Sequence, residues 1–171
     1  MIRLVPVGEI EDYVLSGLRE ALARAFPEGA EAAKLMPLPE AACNPKRGQH
    51  QASEILYSLA RLPRQGESLL GVVDADIYSP GLNFVFGLAA PGIQTAVISL
   101  TRLRPEYYGK PSDKALLLER AIKEAIHETG HMHKLAHCPD PGCVMAFSNS
   151  VEDTDRKGRA FCPRHETESR G

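Results

Sequence analysis

His127 and His131 stand four residues apart, Glu128 directly follows the first, and His137 comes six residues after the second. On a helix, positions i and i+4 project from one face one turn apart. Two imidazoles so placed can bind one zinc at about 2.0–2.1 Å each. Glu128 points to the neighbouring flank, where its carboxylate reaches a metal-bound water without itself ligating the metal. For His137 to meet the same ion, the chain must leave the helix and double back. Three neutral histidines leave the fourth tetrahedral position open, which is the catalytic arrangement. Zinc lowers the pKa of bound water to about 7 and polarises a carbonyl, and a neighbouring glutamate can pass the water proton to a leaving amine. Water attack on an amide or ester carbonyl is the chemistry this set supports.

Three of the four cysteines fall in the last 35 residues with His137 and His165. Cys138, four residues, Cys143, then eighteen residues, Cys162, two residues and His165 have the spacing of a three-Cys, one-His ligand set. The plainer reading is a group of reduced, buried thiols. Cys43 has no partner by spacing and reads as an ordinary reduced thiol. His133 and His50 likewise have no role by spacing and are read as surface residues. Cysteines in an intracellular chain suggest metal or catalysis before disulfides.

The elements that must position these residues follow from periodicity. Ile2 to Val7 reads as a strand, and Ile10 to Ala25 has helical spacing. Lys34 to Leu38 reads as a second strand, its prolines suiting only an edge or an end. Gln49 to Leu62 reads as a helix. Ser68 to Asp74, Asn83 to Ala89 and Thr95 to Leu100 are apolar enough for three strands. Pro111-Ser112-Asp113 is a helix-start signal, and that helix should run from about Lys114 into the histidines. Beyond Cys138 the periodicity disappears, so something other than packing must hold the tail. Strands interleaved with helices indicate an α/β layer architecture.

At 171 residues the chain suits one domain with a sufficient core, and 43% hydrophobic with 25% charged residues excludes a disordered or fibrous chain. A net charge of −2 and no Trp argue against nucleic acid or an anionic membrane as partner. The uncharged run between Asp76 and Arg102 is broken by Pro80, Gly81, Gly87, Pro91 and Gly92, which suits strands and turns better than a membrane span. A soluble, cytoplasmic protein is the expectation.

The stretch His127-Glu128-x-x-His131-x-x-Lys134-x-x-His137 resembles the metzincin zinc motif, and Cys138 directly after the third His narrows the resemblance to the archaemetzincins. Cys143-Val144-Met145, Phe161-Cys162-Pro163 and Gly130 fit the same pattern, and Asp74 to Ala90 is similar to the family as well. The family has Gly where this chain has Lys134, at the point where the zinc helix turns away. A left-handed residue costs glycine little and others about 1–2 kcal/mol. Either Lys134 bears that strain or the turn is made differently. The second departure is His165, where the family usually has its last cysteine.

The resemblance implies a metzincin-like α/β fold with a mixed twisted sheet. It divides the chain into an amino-terminal subdomain, 1–137, carrying the zinc helix, and a small irregular zinc-bound subdomain, 138–171. It also implies two zinc ions. One is catalytic, at His127, His131 and His137, with Glu128 as the base. The other is structural, at Cys138, Cys143, Cys162 and His165, where four ligands close the shell and pin the tail. Met145 is either core filler or, as the resemblance implies, the Met-turn residue beneath the imidazoles. Asn83 to Ala89 would be the antiparallel edge strand along which a peptide substrate adds. The expected activity is therefore that of a zinc metallopeptidase acting on peptides or proteins. The rivals are a zinc-stabilised binding protein without turnover and a zinc hydrolase of non-peptide amides. An intact Glu128 argues against the first.

Overall fold

A computed structural model of the chain describes residues 1–169; the last two residues of the expected carboxy-terminal segment lie outside the described range. A five-stranded mixed sheet forms the frame, in the order β2 (Ala30–Ala32), β1 (Ile2–Val7), β5 (Ser68–Val73), β8 (Thr95–Ser99), β7 (Gly87–Ala90). All neighbours run parallel except β7, which pairs antiparallel with β8, Gly87 opposite Ile98 and Ala90 opposite Thr95. A small second sheet joins β3 (Cys43–Asn44), β4 (Gln49–Gln51) and β6 (Ile77–Tyr78).

Side chains alternate across a strand, and the sheet is apolar on both faces because helices cover both. Ile2, Leu4, Leu70, Val72, Ala96 and Ile98 pack against α1 (Asp12–Ala25) and α3 (Lys114–Met132). Val5, Val7, Leu69, Val73 and Val97 face α2 (Ala52–Ala60) on the other side. The α/β class read from the sequence is the class observed. Among the described residues no helix is long and apolar enough to cross a membrane.

The helix that carries His127 and His131 begins where expected. The Asp113 side chain accepts from the Leu116 amide at 2.9 Å, capping the first turn of α3. Its second half is buried on nearly every side, Ala121 to Gly130 without a break, because the sheet and α1 lie on one side and the chain after Cys138 covers the other.

Several expected elements are corrected. Lys34–Leu38 forms no strand: only Met36 bridges to Val7, exchanging bonds with Pro6 and Gly8, since Pro37 has no amide to extend the ladder. The edge position belongs to β2 instead. Gln49–Gln51 is strand rather than the start of a helix, because the His50 amide donates to the Asp76 carbonyl at 2.8 Å. Asn83–Ala89 splits, residues 83–86 forming a rim and only Gly87 onward pairing as β7. Among its described residues the tail contains two short helices, α4 (Val151–Arg156) and α5 (Pro163–Ser169). Ser150 and Asp153 form a capping box for α4, a signal legible in the sequence that periodicity alone misses.

Candidate metal centre and cleft

The turn after α3 decides whether the third histidine can return. Lys134 has φ +64°, so it bears the left-handed conformation itself. Its amide donates to the His131 carbonyl at 2.8 Å and the Leu135 amide to the Gly130 carbonyl at 3.0 Å. Those two bonds are a Schellman ending built on a lysine. Lys134→Gly should therefore raise stability by about 1 kcal/mol, the left-handed strain less the extra freedom glycine gives the unfolded chain. A lower melting temperature in that variant would show a lysine contact that outweighs the strain.

The reversal brings the three imidazoles together. Nε2 of His131 lies 3.1 Å from Nε2 of His127 and 3.2 Å from that of His137. A tetrahedral zinc with bonds of about 2.0–2.1 Å needs ligand atoms roughly 3.3 Å apart, so the donor set fits the ion. The far ring nitrogens are also engaged. His127 Nδ1 donates to the Val144 carbonyl at 2.9 Å and His131 Nδ1 to the Leu135 carbonyl at 2.8 Å, which leaves both Nε2 lone pairs free. Burial, reinforced by the Lys157 charge, holds the His127 imidazole far below its usual value, at about 2. Burial also lowers His131 and His137, so all three are neutral donors at physiological pH.

Glu128 lies at the back of the same cleft, 6% exposed. Burial, with the Glu124 carboxylate adding to it, pushes its carboxyl up to about 8, against the opposing pull of Lys157. A cation at the imidazoles would act in the opposite sense. The side chain fits there because residue 87 of β7 is glycine: a Cβ at Gly87 would come within 2.6 Å of Glu128 Cγ and 2.7 Å of Oε1. Gly87→Ala should thus displace the carboxylate and lower turnover by about 10- to 100-fold, the order expected for a misplacement near 1 Å, with metal content unchanged. Equal turnover in that variant would show that Glu128 has room to spare.

Met145 is fully buried, and Gly130 is what admits it, since a Cβ there would stand 2.5 Å from its sulfur. Its carbonyl accepts from the Cys138 amide at 2.9 Å, tying its turn to the residue after His137.

Cys138, Cys143, Cys162 and His165 form a second cluster, their ligand atoms all within 4.8 Å of one another. Sγ of Cys138 and Cys162 are 3.8 Å apart, and His165 Nδ1 lies 3.4 Å from Cys162 Sγ and 3.6 Å from Cys143 Sγ. Zinc bonds of about 2.3 Å to sulfur and 2.0–2.1 Å to nitrogen give separations of this size. The His165 backbone amide helps pull the Cys162 thiol down to about 7, whereas burial pushes Cys143 up to about 11. A bound cation would stabilise both thiolates.

The remaining residues singled out from the sequence lie elsewhere. His133 is not a bare surface residue: it caps α3, stacks on Phe26 at 5.0 Å and meets Glu28 at 2.7 Å. Cys43 is exposed on β3 and His50 lies opposite it on β4, both away from the clusters. The cleft, about 410 Å³, runs between the rim with β7 and Phe147 to Asn149, with His127, Glu128, His131 and His137 at its floor. Glu124 also lines it, one helical turn before Glu128, a residue that the i, i+4 spacing could have flagged. Lys157, buried behind His127, carries no such signal.

Residues 42–169 match the family model described as Peptidase family M54. The chain is 45% identical over 169 residues to the archaemetzincin of Pyrococcus furiosus, covering 95% of this chain and 88% of that protein. The solved archaemetzincin of Methanopyrus kandleri superposes with a TM-score of 0.88 at 35% identity, over 99% of this chain and 92% of that one. A structure described as a zinc-dependent peptidase from Methanocorpusculum labreanum superposes with a TM-score of 0.90 at 28% identity, over 99% and 100% of the two chains.

Proposed function

Since the chain belongs to the archaemetzincins, peptidase family M54, we propose that its zinc-dependent peptidase chemistry runs where His127, His131 and His137 converge beside Glu128. The protein is a zinc metallopeptidase. The observation that carries the assignment of residues is the joint geometry: three neutral imidazoles, Nε2 of His131 lying 3.1 and 3.2 Å from those of the other two, with a buried carboxylate on the same helix and an open cleft in front.

His127, His131 and His137 would hold the zinc, which when bound would supply Lewis acidity for polarising a carbonyl and acidifying water. Glu128 takes the water proton and delivers it to the departing amine. The carbonyls of Val144 and Leu135 hold His127 and His131 in the ligating tautomer. Among the described residues β7 pairs only with β8, so its outer edge offers unpaired backbone groups to an extended peptide, which would add as a further strand. Met145, packed against Gly130, supports the floor without touching the metal. Cys138, Cys143, Cys162 and His165 hold a second, structural zinc, giving two per chain. In this reading residues 1–137 and 138–171 are two subdomains flanking the cleft, and the reduced thiolate set suits the cytoplasm.

The test is a peptide library presented to the zinc-loaded protein. Cleavage should occur, disappear with a chelator and return with zinc. Turnover of small amides but of no peptide would favour the non-peptide hydrolase, and no hydrolysis of any kind would favour the binding protein.

A further inference from the structure

Lys157 is among the largest fully buried side chains of the protein, 2% exposed, although it carries an ammonium. Taking such a charge out of water is costly unless it is paired and hydrogen-bonded. Its Nζ lies 3.0 Å from Oε1 of Glu124, itself 3% exposed, and donates to the Ala146 carbonyl at 3.4 Å. It also rests 3.5 Å from Nδ1 of His127. Because that nitrogen already donates to Val144, the ammonium abuts the ring edge and does not share its bond. The same Glu124 oxygen also accepts from the Thr154 hydroxyl at 3.1 Å.

One ammonium thereby joins two segments separated in sequence: the helix α3, through Glu124 and the His127 ring, and the turn carrying Val144, Met145 and Ala146. The carbonyl that orients His127 lies two residues from the carbonyl that Lys157 holds. A buried ion pair is poor at adding stability, and well-packed apolar residues often do as well or better. What it supplies here is direction, since each of its contacts has a required geometry.

We propose that Lys157, with Glu124, is a positioning residue for the three-histidine centre: it fixes the Val144–Ala146 turn against α3 and so holds His127 in its ligating orientation. This rests on the reading of His127 as a metal ligand, and the experiment separates the two. The zinc affinity of each centre would be measured by competition with a chromophoric chelator, alongside melting temperature, for Lys157→Met, for the double variant Lys157→Met with Glu124→Met, and for His127→Ala. The His127→Ala variant identifies which titration step belongs to the histidine centre.

Loss of a partner that orients a ligand typically weakens a metal site 10- to 100-fold. The double variant, whose buried charges are both removed, should keep the melting temperature of the parent within a few degrees. It should still bind zinc at the histidine centre at least 10-fold more weakly, with the cysteine centre unchanged. Should the single variant fail to fold, the double variant decides. Unchanged affinity at the histidine centre, equal weakening of both centres, or a double variant that does not fold would each overturn the proposal, because the pair would then be inert or would serve the core as a whole. If His127→Ala itself leaves both zinc steps intact, the ligand assignment falls and the proposal falls with it.

Discussion

Glu128→Gln should lower the rate of peptide hydrolysis by about 10²–10⁴-fold, the range for loss of a general base, and leave the zinc content as it was. The amide has the shape of the carboxylate, so it fills the space that Gly87 leaves open without disturbing β7. It cannot take a proton from water. The histidine ligands do not depend on it, being oriented by the carbonyls of Val144 and Leu135. Because the base acts only as the transition state forms, kcat and kcat/KM should fall together with KM little changed. Steady-state kinetics on any peptide the parent cleaves, with metal analysis of the same preparation, checks this. A substrate hydrolysed equally fast by both proteins would remove Glu128 from the mechanism.

If Cys138, Cys143, Cys162 and His165 hold the proposed structural zinc, stripping it should unfold the chain after Cys138, and the histidine centre should go with it. The helices there have six and seven residues, too short to persist alone. Structural zinc sites contribute apparent binding energies of about 10–16 kcal/mol, and in such a segment that energy is folding energy. His127 is oriented by the carbonyl of Val144, the residue directly after Cys143, so its orientation is lost once the tail opens. The dependence runs one way. A chelator should empty the open histidine centre first, abolishing activity with the fold intact, because the closed thiolate shell admits no entering ligand. His165→Ala should lower zinc to below two per chain and expose the tail to limited proteolysis, whereas His165→Cys should preserve both. One zinc per parent chain, or a His165→Ala protein with two zincs and a protease-resistant tail, would refute this.

The relation of sequence to structure is clearest in α3. Its register, its Asp113 cap, and the single face shared by His127 and His131 follow from a period of 3.6 residues and a capping rule, both local. Strands β1, β5 and β8 were legible for the same reason, as apolar runs that a two-faced sheet requires. The left-handed Lys134 was legible only as a question, since a lysine in that place can bear the strain or avoid it; the Schellman bonds decide that it bears it. The spacing of Lys34–Leu38 suggested a strand that tertiary pairing moved to Ala30–Ala32, because ladder partners are chosen by the neighbouring strand.

By itself, then, the sequence determined the ligand types, their spacing and the helix that presents them, because those are properties of one continuous segment. Only the tertiary structure decided what surrounds them. The space at Gly87 for Glu128, the seat of Met145 on Gly130, and Lys157 bridging Glu124 to the Ala146 carbonyl join residues 11 to 41 positions apart. No periodicity links such residues. Their meeting depends on how closely two backbones approach after the chain has folded, and packing at interior density, not local preference, sets that distance.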